Sequence, residues 1–265
     1  MELLICPICK EGLILHGKSL ACKNSHSFDI AKEGYVNLLV GGKGQHGDNK
    51  MMLLGRRTFL ESGFYSILRD AVCRALKKHV KGDGVILDVG CGEGYYTAGI
   101  KEALPSATVY GFDVSREAVR LAAKRKCGSF FVGSAYDVPM RADSADAVTL
   151  LFSPLCLEEI LRVLKKGGIF ITAVPAKRHL WGLKKVLYDK PYPNAPEDGV
   201  PDGFTLLSRT HLEDEITVKG QDVIHALFSM TPYFYKTSRE GHERLEGLEE
   251  LKTEIAFELF VYQKN

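Results

Sequence analysis

From residue 84 onward the chain alternates unbroken apolar runs with amphipathic ones. GVILDVG (84–90) is an apolar stretch bounded by glycines, as expected of a strand buried on both faces. EGYYTAGIKEAL follows with helical spacing, and ATVYGFDV returns to a strand pattern. SREAVRLAAKRK is a second helix, with Ser115 as N-cap and Glu117 in its first turn. SFFVGSA (129–135), DAVTLLF (146–152) and GGIFITAVP (167–175) continue the series. Such alternation predicts a mainly parallel, doubly wound α/β sheet that binds its ligand at the carboxyl ends of the strands.

The first forty residues depart from that rhythm. GLILHGKSLAC places apolar positions either side of His16-Gly17 and predicts a short hairpin. A segment this small can scarcely bury a core unaided. CPIC puts Cys6 and Cys9 on one knuckle, twelve residues separate Cys9 from Cys22, and three separate Cys22 from His26. Folding the hairpin brings the two pairs together as four tetrahedral ligands for a structural zinc ion, with no position left open for water. His16, at the hairpin tip, reads as solvated. VGGKGQHGDNK (40–50) has the composition of a flexible linker. The expected organisation is a zinc-binding module at 1–39, a linker at 40–50 and an enzyme domain at 51–265.

The 265 residues are 45% hydrophobic and 26% charged, without a run of eighteen apolar residues, and the N-terminus does not read as a signal peptide. The expectation is a cytoplasmic protein without a membrane span. Cys73, Cys91, Cys127 and Cys156 are dispersed among apolar neighbours and read as core. Net charge is only +2, but residues 1–190 carry 28 Lys and Arg against 19 Asp and Glu, while residues 191–265 carry 7 against 14. A basic bias beside a zinc module points to a polyanionic partner. The basic pairs at Lys77-Lys78, Lys177-Arg178 and Lys184-Lys185 and the triplet Lys124-Arg125-Lys126 are its candidate contacts.

The loop after the first strand of the larger domain, LDVGCGEGYYT, presents Gly90, Gly92 and Gly94. The dinucleotide fingerprint fails here because its third glycine would fall at Tyr95, which disfavours a pyrophosphate. A cofactor without phosphates fits better. Asp113, nineteen residues beyond Gly94, ends the next strand where a carboxylate can accept from both hydroxyls of a ribose. Asp88 is expected to face the amino group of a zwitterionic ligand, directly or through water.

At these residues the chain resembles the class I S-adenosylmethionine (SAM)-dependent methyltransferases. The resemblance implies a Rossmann-like α/β sheet with Gly90, Cys91, Gly92, Gly94 and Tyr95 in the cofactor loop. It also implies Asp113 and Val114 at the ribose and Ser134 and Ala135 beside the adenine. Phe152, Ser153 and Pro154 then lie by the transferred methyl. The order of CPIC, the Cys22 and His26 pair, HSFDIAKEGYVNLL, RRTFLESGFY, PAKRHL and MTPY is similar to that of the RlmA family, which includes tylosin-resistance enzymes. That narrower resemblance covers nearly the whole chain. It implies methylation of N1 of one guanine in a hairpin of 23S ribosomal RNA, recognition of the RNA by the zinc module, and a homodimer. A guanine splayed from such an RNA needs stacking partners. Phe152 and Tyr233 are the first candidates, ahead of Tyr35 and Trp181. Asp137, Glu158 and Glu159 are possible general bases, none assigned. Three other readings stay open: a small-molecule methyltransferase, an NAD-dependent oxidoreductase, and a noncatalytic zinc-bearing RNA-binding protein.

Overall fold

The computed structural model describes residues 1–41, 50–195 and 199–265, so most of the expected linker lies outside the described residues. The N-terminal hairpin forms as its pattern predicts. β1 (Ile14–His16) pairs antiparallel with β2 (Ser19–Ala21) across a turn at Gly17-Lys18, and β3 (Ser27–Asp29) adds to β2. The next strand, β4 (Val36–Asn37), leaves this small sheet and joins the edge of the main one.

Two helices not read from the sequence follow, α1 (Lys50–Glu61) and α2 (Ser66–His79). The alternating region then runs β5 (Val85–Val89), α3 (Tyr95–Ala103), β6 (Thr108–Asp113), α4 (Arg116–Lys124), β7 (Ser129–Val132), β8 (Ala145–Leu151), α5 (Leu157–Val163) and β9 (Leu164–Pro175). Apart from α5, which the sequence pattern did not mark, these elements match the predicted series, and Ser115 caps α4 by accepting from the Ala118 N–H. Beyond them lie α6 (Trp181–Leu187), β10 (Phe204–Lys219), α7 (Gln221–Ser229), α8 (Arg239–Glu246) and β11 (Glu250–Lys264). β10 and β11 form a long antiparallel pair whose strand character the sequence reading did not identify.

Among the described residues the main sheet has eight strands in the order β10-β11-β9-β8-β5-β6-β7-β4, with β11 alone antiparallel to the rest. Successive strands move outward in opposite directions from β5 and β8, so the crevice between the loops that follow them is the switch point where α/β sheets bind ligands. Side chains along β5 alternate between the two layers. Ile86 belongs to the apolar layer of α2, α6 and α7, whereas Leu87 and Val89 belong to the opposite layer.

The zinc-binding segment closes that opposite layer. Leu4, Leu13 and Leu20 are fully buried in the same cluster as Leu87, Val148 and Phe170. Backbone bonds fasten it: Ile5 N–H donates to the Pro139 carbonyl and Arg141 N–H to that of Leu3, both at 3.0 Å. Burying three leucines in a shared core contributes several kcal/mol at about 2 kcal/mol each, so the segment is built into the fold.

Candidate active site and metal centre

The metal centre begins with two tight knuckles. Lys10 N–H donates to the Cys6 carbonyl and Ser25 N–H to that of Cys22, and Lys10 and Ser25 both take left-handed backbone, at φ 62° and 65°. Each knuckle thereby turns its ligands inward, and the thiol sulfurs of Cys6, Cys9 and Cys22 and a ring nitrogen of His26 all fall within 4.8 Å of one another. Cys6 Sγ and Cys22 Sγ each stand 3.5 Å from His26 Nδ1, and Cys9 Sγ stands 3.6 Å from Cys22 Sγ. A tetrahedron with metal–sulfur bonds of about 2.3 Å has edges of about 3.8 Å, so these donors fit zinc. The backbone around Glu11 donates to Cys9 and draws its thiol down to about 6, toward the thiolate that a metal binds.

The crevice at the switch point holds two cavities that meet at Gly90. The smaller, about 220 Å³, has Asp113, Val114, Ser134, Ala135, Ser153 and Pro154 in its wall. The larger, about 620 Å³, has Cys91, Gly92, Tyr95, Phe152 and Tyr233 in its wall. Only glycine suits position 90, since its φ is +67° and a Cβ there would stand 2.6 Å from Ser153 Oγ. The loops after β5 and β8 therefore come into close contact, and Gly90 belongs to the walls of both cavities.

Asp113 lies at the floor of the smaller cavity. Its Oδ2 accepts from the Gly92 N–H at 3.1 Å and its Oδ1 from the Ser115 N–H at 2.8 Å, which fixes the carboxylate. Ser134 Oγ accepts from the Tyr136 N–H, and Tyr136, itself exposed, adds a ring to the wall. The pocket thus sets the Asp113 carboxylate in one wall together with Ser134, Ala135 and Tyr136.

Two of the expected cofactor residues sit elsewhere. Asp88 is buried beneath the glycine loop, accepts hydrogen bonds from Thr97 at 2.5 Å and Thr149 at 2.8 Å, and lines neither cavity. Burial raises its carboxyl to about 6. Its direct contact with a ligand is replaced by a structural one, tying α3 and β8 to β5. Gly94 faces α4, where a Cβ would meet that of Ala122 at 3.0 Å, so its small size serves helix packing.

The larger cavity is walled by aromatic rings. Phe152 has a left-handed backbone at φ 61°, a strained state for a bulky residue, and its half-exposed ring tilts against Phe257 at 5.8 Å. Leu180, also in the wall, is left-handed at φ 55°. Tyr233 is held over the ammonium of Lys184 at 5.3 Å. That ammonium is buried and donates to the Tyr192 carbonyl and to Asn194 Oδ1, so Lys184 cannot serve as a surface contact for a polyanion. Tyr35 and Trp181 are not brought to the site. Tyr35 is core and accepts from Arg116 Nε, while Trp181 lies under the Arg178 guanidinium.

The candidate bases are also occupied elsewhere. Asp137 pairs with Lys10 of the zinc knuckle at 2.6 Å, and Glu159 accepts from Arg162 and from the Val138 N–H, contacts that hold its carboxyl below the usual range against the opposing effect of burial. Glu158, in the first turn of α5, lines neither cavity.

Conversely, Arg56, Tyr65 and His179 wall the larger cavity and had no assigned role. Arg56 Nη1 lies 3.8 Å from where a Cβ on Gly92 would be, which sets a cation beside the cofactor loop. The signal for these residues was present in RRTFLESGFY and PAKRHL, but periodicity alone does not say which side chain of such a segment faces a cavity.

Comparison with known proteins supplies the remaining context. Residues 4–43 match the zinc-ribbon family described as RlmA, N-terminal, and residues 86–168 match the methyltransferase domain family. A Micromonospora griseorubida protein provisionally named a 23S rRNA (guanine-N1)-methyltransferase is 35% identical over 198 residues, 67% of each chain. The 23S rRNA (guanine(748)-N1)-methyltransferase of Streptomyces fradiae is 32% identical, covering 67% of this chain and 65% of its own. A Bacillus subtilis protein with the same provisional name as the first is 30% identical over 94% of this chain and 91% of its own. Among solved structures, a provisionally titled type II methyltransferase of Anaeromyxobacter dehalogenans superposes with a TM-score of 0.52 at 20% identity, covering 74% of this chain and 95% of that one, a likeness of fold.

Proposed function

Because the chain belongs to the RlmA family of 23S ribosomal RNA (guanine-N1)-methyltransferases, we propose that it moves a methyl group from SAM to N1 of one guanine in a 23S ribosomal RNA hairpin. The observation that carries this reading is the pair of cavities joined at Gly90, one suited to an adenosine and the other walled by aromatic rings. When bound, SAM supplies an electrophilic methyl carbon on a cationic sulfur.

The protein's part is to position and to exclude water. Asp113 binds the ribose hydroxyls, Val114, Ser134 and Ala135 bound the adenine, and Gly90, Cys91, Gly92 and Tyr95 let the backbone approach the methionine portion. Arg56 offers a cation for its carboxylate. Phe152 and Tyr233 hold the flipped guanine by stacking, with Ser153 and Pro154 between it and the cofactor. Asp88 acts through the loop it anchors. Residues 1–39, with zinc on Cys6, Cys9, Cys22 and His26, recognise the RNA, and residues 51–265 catalyse the transfer. A homodimer is the proposed assembly, and no helix of the described residues is long and apolar enough to cross a membrane.

The test is transfer from labelled SAM to unmodified large-subunit ribosomal RNA, followed by nuclease digestion and mass spectrometry. The expected product is 1-methylguanosine; methylation at another atom, or none with SAM bound, would sink the proposal.

A further inference from the structure

The larger cavity contains a hydrogen-bond relay whose direction is fixed by the backbone. His179 is buried, and its Nδ1 accepts from the Ala256 N–H of β11 at 3.1 Å. An amide N–H only donates, so Nδ1 carries no proton and the ring is neutral with its hydrogen on Nε2. Burial agrees, since it takes the imidazole down to about 3. Nε2 lies 3.0 Å from the Tyr65 hydroxyl and must donate to it. The phenol oxygen is thus an acceptor toward His179, and its own hydrogen has no acceptor among the described residues. Tyr65 is 4% exposed, at the N-terminus of α2, with its ring fixed edge-on by Phe59 at 5.1 Å and Phe257 at 4.9 Å. Both Tyr65 and His179 wall the larger cavity, so the donor hydrogen serves whatever fills it.

On the proposed function, we infer that Tyr65 donates this hydrogen bond to the O6 carbonyl of the guanine being methylated, with His179 as its positioning residue. Phe257 joins the two ends of the argument, touching both Tyr65 and Phe152, the ring assigned to stack on the base. The chemistry needs a donor there. The N1 proton first passes to water, and the resulting N1 anion then forms its bond to the methyl carbon as the carbon–sulfur bond breaks with its electron pair returning to sulfur. Loss of that proton places negative charge on O6, and a donor already in place stabilises it without reorganisation. Tyr65 keeps its own proton throughout, because burial lifts the phenol well above its ordinary range. The other titratable groups facing the pair are Arg56, Tyr96 and Tyr233 around Tyr65 and Lys184 near His179. The relay also favours guanine over adenine, which has an amino group where O6 would be.

The experiment uses the full-length, zinc-loaded protein with Tyr65→Phe, measuring kcat against pH on a hairpin RNA and SAM affinity by calorimetric titration. The expected result is a fall in kcat of about 100-fold, the scale for removing one such donor, with SAM affinity and the KM for RNA within about twofold. The rise of kcat with pH should also move to higher pH, because N1 is no longer acidified; a purely structural tyrosine would leave that profile in place. A kcat within threefold of wild type, or an equal loss of SAM affinity, overturns the inference. Should the variant fail to fold, wild-type enzyme on RNA carrying 6-thioguanosine at the target reads the same contact through a weaker acceptor. A fall of tenfold or more supports it and an unchanged rate overturns it. Absence of 1-methylguanosine from wild-type enzyme would instead remove the function on which the inference rests.

Discussion

Two carboxylates beside the glycine loop have separate duties, and their surroundings assign them. Asp113 is exposed to the smaller cavity and held by two backbone N–H groups, so Asp113→Ala should weaken SAM binding by about 10- to 100-fold, the scale of losing charge-assisted hydrogen bonds. Calorimetric titration checks this, and unchanged affinity would take the ribose role away from it. Asp88 is buried with its carboxyl raised from 3.8 to about 6. The folded state then keeps a proton that the unfolded state has already lost, so this group's contribution to stability falls as pH rises from about 4 to 6 and is level above. Asp88→Asn should remove that slope, of up to ~1.4 kcal/mol per pH unit, while changing SAM affinity less than threefold. Urea unfolding of both proteins between pH 4 and 7 measures the difference, and parallel curves would exclude Asp88 as its source.

At the scale of elements, the strands β5 to β9 and the helices between them were legible because each carries one dominant period and a clear stop. The zinc ligands were legible for a similar reason, since tetrahedral donors on two knuckles impose spacing on the sequence. The β10–β11 pair was not, because β10 is mostly exposed and β11 mostly buried, so neither shows a clean two-residue alternation, and the register depends on a partner strand distant in sequence. Nor did spacing reveal that β4 joins the main sheet or that Leu4, Leu13 and Leu20 share its core. That docking changes what metal removal should do. Chelating zinc should lower the unfolding temperature of the whole protein in a single calorimetric transition, because the core on that side is common to both parts. A separate low-temperature transition, with the main one unmoved, would show the ribbon folding on its own account.

Across the whole molecule, charge counting overstates what is offered to RNA. Lys184 is buried, Arg125 pairs with Glu93 and Glu61, and Arg162 pairs with Glu159, so part of the basic excess is spent inside the fold. RNA affinity should still fall with salt, with a log–log slope of about −2 to −4, equivalent to about three to six neutralised phosphates. Fluorescence anisotropy from 50 to 300 mM salt tests this, and a flat response would remove the electrostatic account. The ribbon is bonded through Leu3 and Ile5 to the stretch that begins beside the smaller cavity at Ser134, and Lys10 reaches Asp137 on that same stretch. Two ligands that share one deformable wall must feel each other equally, whatever path the strain takes. If zinc tightens SAM binding, SAM must slow the loss of zinc by the same free energy, typically 1–3 kcal/mol for coupled sites. Competition with a colorimetric chelator, with and without SAM, would reveal that reciprocity, and equal metal affinities would uncouple the two. A cell short of zinc would on this account lose the enzyme's grip on its methyl donor as well as on its RNA.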